Sequence, residues 1–476
     1  MSNNKKALKS GVWYTAANFL MKSLAFITTP IFTRMLSKEQ YGAFQNFASW
    51  QGIFAVFVTL NLGTTLISAR YDFKKDLDRY ITSMLALGAC SVIGFCLICN
   101  LFGTFFTDLL ALKQQYINLI FVYLLFSPAV DIFQANERFF YRYKMSVFIA
   151  VLVAFGTMGL SVWLIYIIQD KLLGRTLGAV IPTVLIGIII AFYYIKKGKG
   201  IYLPYWRYAL PICLPYIPHM LSLTLLNAMD KTMITKICGA EDTALYSLAY
   251  TCGMIVSLFL TSMNTAYSPW LAEHLDSGNY EEVYAFSKKY ILAFSGIAVG
   301  VMIFAPEVLF ILGGKDYMNA KYVMPPVSAG CICQFLYTMF VNIEQFMKKT
   351  VGMAVASTSA AVLNLVLNLW LIPKFGYIAA AYTTLASYFW LLVFHMILVR
   401  RMRLGKIYDY KFILGIVGAV LVFTAAVNYF YFNFTLRILL MAVYAGIFLF
   451  VLYRNRQVLL GFLKRDNGVK NGMGWD

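Results

Sequence analysis

The chain has 476 residues, 61% of them hydrophobic, 17% aromatic and only 13% charged, with a mean hydropathy of +0.70. Soluble domains carry about a quarter charged residues, so this composition excludes a water-soluble enzyme, a secreted domain and a disordered chain. The net charge of +19, from 40 Lys and Arg against 21 Asp and Glu, would suggest nucleic acid in a soluble protein. In an apolar chain it reads as basic loops retained on the cytoplasmic side, and no nucleic-acid partner is expected.

In chain order, Lys5, Lys6 and Lys9 precede an apolar run with no small-residue cleavage site, which predicts an uncleaved first span. Apolar runs follow near 9–33, 41–69, 80–106, 115–136, 145–169, 173–195, 208–237, 243–271, 288–312, 322–346, 351–373, 377–399, 411–432 and 436–453. Each approaches or exceeds the roughly 20 residues that a membrane helix needs, whereas barrel strands would be about half as long and alternating. The prediction is an all-α polytopic membrane protein of fourteen spans with short loops and no extramembrane domain. With the N-terminus inside, 28 basic residues fall on the cytoplasmic side and 11 on the other, Lys22 lying within a span. That imbalance predicts both termini in the cytoplasm. The eight cysteines sit almost entirely in apolar runs without paired CxxC motifs, so buried reduced thiols are expected rather than a metal site.

The two halves look related. Residues 34–46 read RMLSKEQYGAFQN and residues 236–248 read KICGAEDTALYSL. In each, a basic residue ends one span, a polar joint with an acidic residue follows, and a small residue precedes an aromatic by two positions (Gly42 and Phe44; Ala244 and Tyr246). An offset of 202 residues predicts two six-helix bundles, 1–200 and 201–406, related by an axis along the membrane normal. The basic linker RRMRLGK (400–406) would lead into spans 13 and 14 (407–456), with a cytoplasmic tail over 457–476.

These joints and the fourteen short-looped spans resemble the polysaccharide (O-antigen-type) flippase branch of the multidrug/oligosaccharidyl-lipid/polysaccharide transporter superfamily. The resemblance implies two bundles in a V around a central cavity and transport of lipid-linked sugars across a bacterial plasma membrane by alternating access. It also implies a polyprenyl-diphosphate oligosaccharide as substrate, membrane lipid as surroundings, polysaccharide-assembly proteins as partners and no organic cofactor, with Na+ or H+ as the ion that would couple transport.

Ionisable groups inside spans are costly and therefore functional suspects. Lys22 lies near the middle of the first span, too deep to snorkel easily, and a point cation there would suit a diphosphate. Arg34 and Arg70, at opposite ends of spans 1 and 2, serve equally as interface anchors or substrate contacts. Asp230 and Lys231 lie near the outer end of span 7, and Lys231 joins the basic substrate candidates. Asn364 and Asn368 are one turn apart on span 11, and Thr384 lies at matching depth in span 12. A carboxylate, two amides and a hydroxyl at one level would suit a hard monovalent cation; interhelical hydrogen bonding is the plainer account of the same residues. The seventh-span stretch NAMDKTMITKICGAEDTALY is similar to that of the lipid II flippases, whose sodium site is matched by Asp230, Asn364 and Thr384, while Asn368 replaces a carboxylate. That branch's arginines near the starts of spans 2 and 8 are missing here, so a different lipid-linked glycan is expected.

Pro211, Pro215 and Pro218 predict a kinked or interrupted span 7, a candidate gate. His219 beside it reads most simply as packed, and Asp131, Glu137 and Glu344 as paired locally with Arg138 or Lys348. Short outer loops and the lack of a nucleophile triad, HExxH, Walker loop or Gly-rich strand turn argue against a membrane glycosyltransferase or polymerase. A drug or metabolite antiporter of the same superfamily is the transport alternative, and two further spans count against it.

Overall fold

The computed structural model describes residues 20, 23, 24, 26–140, 142–347, 349–402, 404 and 407–454. Among them every regular element is helical, as the apolar runs require: a segment in hydrocarbon must satisfy its backbone groups internally. The first helix is described over 26–35 and labelled α1. After it come α2 (Lys38–Phe57), α3 (Leu66–Asp72), α4 (Leu77–Leu101), α5 (Gly103–Leu110), α6 (Gln114–Phe139), α7 (Tyr143–Ile167), α8 (Lys171–Gly198) and α9 (Pro204–Cys213). Then follow α10 (Ile217–Cys238), α11 (Ala240–Asp276), α12 (Tyr280–Ile303), α13 (Ala305–Gly313), α14 (Met324–Phe346), α15 (Thr350–Phe375), α16 (Tyr377–Arg401), α17 (Tyr410–Phe432) and α18 (Phe434–Arg454).

Ten described helices are long and apolar enough to cross a membrane, or twelve if each of two bent pairs is one span; α18 adds a shorter apolar helix over Phe434–Phe450. The chain is a multi-pass membrane protein. The first bent pair breaks the run 41–69, which the sequence pattern reads as one span. Helix α2 stops at Phe57, Leu60 and Asn61 adopt φ of +57° and +46°, and α3 leaves at 41°. The second is the proline-rich span: α9, a short 3-10 turn over Leu214–Tyr216 and α10 meet at 52°. Pro211 lies inside α9, Pro215 in the turn and Pro218 in the first turn of α10, so three missing backbone donors fall at the bend.

Side-chain caps start several helices. Ser37 and Gln40 form a reciprocal capping box on α2 (3.1 and 3.2 Å), and Asp170 and Asp409 accept from Leu173 and Phe412 N–H groups to begin α8 and α17. Helices α4, α6, α7 and α8 pack together, and α10, α11, α14, α15 and α16 pack together. In α14, 78% of the spanning window is buried, against 17% in α7, so α14 is the central post of its group and α7 faces lipid. Two elements cross between the groups. Helix α2 lies on α10 and α11, so tightly that a Cβ on Gly42 would stand 1.7 Å from the Ala240 carbonyl oxygen. In the other direction α9 packs on α4, where Trp206 donates to the Ser83 carbonyl (2.8 Å), and Tyr208 donates to Asp72 Oδ2 at the end of α3 (2.6 Å). The broken span therefore has one half on each group.

Candidate functional site

Two helical hairpins build the site. Helices α10 and α11 turn at Gly239 (φ +99°), and α15 and α16 turn at Gly376 (φ +68°), conformations that glycine adopts without a Cβ clash. Asp230 lies nine residues before the first glycine and Tyr246 seven after it. Asn368 lies eight before the second, with Thr383 and Thr384 seven and eight after it. Equal distances from the turns bring these side chains to one level between packed helices.

Asp230 is 2% exposed, and its carboxylate is met by three donors. Tyr246 and Thr384 donate hydroxyls to Oδ2, each at 2.5 Å, and Asn368 Nδ2 donates to Oδ1 at 2.7 Å. Asn368 also donates to Asn364 Oδ1 (3.1 Å) and accepts the Thr383 hydroxyl, while Asn364 Nδ2 donates to Thr384 Oγ1 (3.2 Å). A carboxylate removed from water costs several kcal/mol unless hydrogen bonds replace its hydration, and this ring of donors does so. The structure thus brings together Asp230, Asn364, Asn368 and Thr384. It adds Tyr246 and Thr383, whose hydroxyls donate to Asp230 and Asn368.

The arrangement sets terms for any bound cation. Two amide nitrogens face Asp230 and Thr384, so a cation would need the amides turned to present oxygen and the hydroxyl protons redirected. Among the described residues no group of three or more His, Cys, Asp or Glu could hold a metal ion. A single carboxylate with neutral oxygens fits a monovalent ion, not a divalent one. Beside the cluster lies a cavity of about 220 Å³ that shares Thr384 and is also lined by Asn227, Tyr250, Gln334 and Tyr388.

The basic candidates are placed differently from one another. Lys231 follows Asp230 but points about 100° around the helix, toward α2: its ammonium is 3.4 Å from Gln45 Oε1 and 5.7 Å from the Tyr250 ring centre. Arg34 donates to the carbonyls of Pro30 and Ile311, both at 3.1 Å, tying α1 to the end of α13. Arg70 lies 4.5 Å over the Phe140 ring. Neither Arg34 nor Arg70 touches the Asp230 cluster. Lys22 and Lys348 fall outside the described residues, as do the side chains of Arg138 and His219. Glu137 lies 3.8 Å from Arg142, and Glu344 pairs with His395 on α16 at 2.7 Å. A partner 51 positions away is invisible to a reading that seeks neighbours within a turn.

One further charged residue was not singled out by its sequence position. Arg175, on α8, is clasped between Phe32 and Phe44 (3.9 and 4.0 Å to the ring centres) and donates to Ser161 Oγ at 2.7 Å. Thr33 Oγ1 donates to the Leu312 carbonyl (2.7 Å), Lys171 reaches the Met35 carbonyl (3.3 Å), and Tyr41 meets Tyr317 edge-on at 6.3 Å. The two groups of helices are thus latched at the end that carries residues 34–40 and 238–240.

The family model described as polysaccharide biosynthesis protein matches residues 7–275. The chain belongs to that family. A second model, MatE, matches residues 215–370, and together they place this polysaccharide biosynthesis protein in the flippase branch of the multidrug/oligosaccharidyl-lipid/polysaccharide superfamily. An uncharacterized membrane protein of Methanocaldococcus jannaschii is 22% identical over 465 residues, covering 88% of this chain and 89% of that one. A protein of Haloferax volcanii described as a probable low-salt glycan biosynthesis flippase is 23% identical over 164 residues, 34% of this chain and 35% of its own. Among solved structures, the lipid II flippase MurJ in its inward closed conformation superposes with a TM-score of 0.68 at 15% identity, covering 94% of this chain and all of MurJ. That likeness establishes the fold, and the family accounts for it.

Proposed function

We propose that this polysaccharide biosynthesis protein is a flippase. It carries a polyprenyl-diphosphate-linked oligosaccharide from the inner to the outer leaflet of a bacterial plasma membrane, with both termini cytoplasmic. The family match over residues 7–275 and the likeness to a glycan biosynthesis flippase support the substrate class. The observation that carries the mechanism is the broken span 7, whose inner half rides on α4 and whose outer half packs on α15. A helix divided in this way bends when the two groups rock against each other, and Pro211, Pro215 and Pro218 leave few backbone bonds at the bend to resist it.

The latched end, around Thr33, Arg34, Gly42 and Ala240, is then the outer one, and this state receives the headgroup from inside. Lys22 and Lys231 would meet the diphosphate in the cavity between the six-helix bundles 1–200 and 201–406, with Arg34 and Arg70 at its two ends. The lipid tail would stay in the bilayer near spans 13 and 14. Cation occupancy at Asp230, Asn364, Asn368 and Thr384, by Na+ or H+, would bias one state through its differential affinity for the two. The MatE match over 215–370 favours a second reading, a cation-coupled drug or metabolite antiporter. Proteoliposomes carrying a fluorescent polyprenyl-diphosphate oligosaccharide decide between them. The flippase reading expects label in the inner leaflet to become accessible to an external quencher only when the protein is present; unchanged accessibility alongside ion-driven efflux of a cationic drug would establish the antiporter.

A further inference from the structure

Away from the Asp230 cluster, the same group of helices buries a second pair of ionisable side chains. Glu344, near the end of α14, is 0% exposed, and His395, on α16, is 2% exposed. His395 Nδ1 stands 2.7 Å from Glu344 Oε1, while Glu344 Oε2, equally buried, has no hydrogen-bond partner among the described residues. A carboxylate oxygen left bare in an apolar interior is costly. A carboxylate facing a neutral imidazole also leaves a net negative charge there. One added proton removes the net charge, whether it rests on the imidazole or on the carboxyl.

Among the described residues His395 is the one ion-pair partner of Glu344, and Lys348, one turn beyond it, lies outside them. From α14 the neighbouring titratable side chain is Tyr337, whose ring stacks on His395 with centres 5.7 Å apart. On α16 itself Tyr388 lies two turns before His395, its ring stacked on Tyr337 at 6.3 Å, and Arg400 and Arg401 follow in the last turn. Helix α15 has no titratable side chain between its cap Lys349 and Lys374. Ahead of α17, Tyr408 is turned to the Met339 carbonyl and to Tyr267, and Tyr410 lies against Phe340. On α11, the ionisable side chains nearest its end are Glu273, His274 and Asp276, and His274 is engaged with Glu282 at 3.3 Å.

A cavity lies two turns along α16 from His395. Tyr388 donates to Asn227 Oδ1 (3.2 Å) and lines the 220 Å³ cavity, which also reaches Thr384 of the Asp230 cluster. Stacked rings of Tyr388 and Tyr337 therefore separate this cavity from His395.

We infer that Glu344 and His395 form a proton-binding site. The pair holds its extra proton while the second group of helices is closed around it and releases it when the tyrosine-lined cavity opens, so that a proton contributes to the coupling. This rests on the transporter reading for its purpose, but not for its test. The chain has three histidines, His219, His274 and His395, so nitrogen-15 histidine spectra of the full chain in lipid nanodiscs are assignable by His395→Gln. The inference expects the His395 nitrogens and the Glu344 carboxyl carbon to change over one shared pH interval. Glu344→Gln should then move the His395 midpoint by about one pH unit or more, a tenfold change in proton affinity. A His395 signal that does not change between pH 5 and 9, or a midpoint that Glu344→Gln leaves in place, would overturn it and reduce the pair to a structural hydrogen bond. Should Glu344→Gln fail to fold, His219→Gln with His274→Gln isolates the His395 signal. The wild-type pair then decides by whether imidazole and carboxyl titrate together. None of these outcomes depends on glycan transport, so failure here leaves the flippase reading standing, and its failure leaves this one.

Discussion

The joints at 34–46 and 236–248 share a sequence pattern, and their helices α2 and α11 cross where Gly42 meets Ala240, yet the two bury opposite charges. In the first, the aromatic is Phe44, and its ring helps clasp the Arg175 guanidinium. In the second it is Tyr246, and its hydroxyl donates to Asp230. A bare aromatic face attracts a cation through its quadrupole, while a phenol in a dry site satisfies an anion. A single oxygen atom separates a joint that acts as a clasp from one that organises a polar cluster. The clasp is closed by packing and should matter chiefly for stability; the cluster can exchange its partners and should matter chiefly for transport.

The largest expected effect follows from that division. Asp230→Asn should lower transport in proteoliposomes by about tenfold or more, equivalent to about 1.4 kcal/mol, with the protein still folded; transport within twofold of wild type would remove the cluster from the mechanism. Gly42→Val comes next. Its side chain has no room beside the Ala240 carbonyl, so the latch should be forced apart, and a cysteine placed at Tyr317 should gain reactivity toward an impermeant thiol reagent. Unchanged reactivity would mean that the crossing yields without opening. Arg175→Met should cost about 1–2 kcal/mol of stability, seen as a lower unfolding temperature, while leaving transport per folded molecule near wild type. If transport instead fell as steeply as in Asp230→Asn, the clasp would not be merely structural.

The smallest effect concerns the cap of α17. Lys288 at 2.8 Å, the Phe412 N–H and the Tyr284 hydroxyl hold the Asp409 carboxyl below the usual carboxylate range. A carboxyl depressed by folding stabilises above its unfolded pKa and loses that contribution as pH falls through the folded value. Asp409→Asn should therefore matter slightly at neutral pH and not at all in strong acid, where wild type and variant should unfold alike.

Much of this could be read from sequence because membrane helices make depth countable. Depth counted from the outer span ends puts Asp230, Asn364, Asn368 and Thr384 at one level, and the structure joins them by hydrogen bonds. The bend at Pro211, Pro215 and Pro218 was legible because proline removes donors wherever it sits. Three features were not. Tyr246 carried its place in the joint but not the direction of its hydroxyl. The break after α2 has no proline, and its φ values fall on Leu60 and Asn61 within an apolar run. The Glu344–His395 pair needs the contact of α14 with α16, which no periodicity reports.

The central claim is the substrate, and it is tested most directly by deleting the gene in its host and measuring undecaprenyl-linked intermediates by mass spectrometry. A lipid-linked oligosaccharide should accumulate on the cytoplasmic side, and wild type, but not Lys22→Ala at normal protein levels, should relieve the accumulation. Absence of any such intermediate, with redundant transporters also removed, would contradict it.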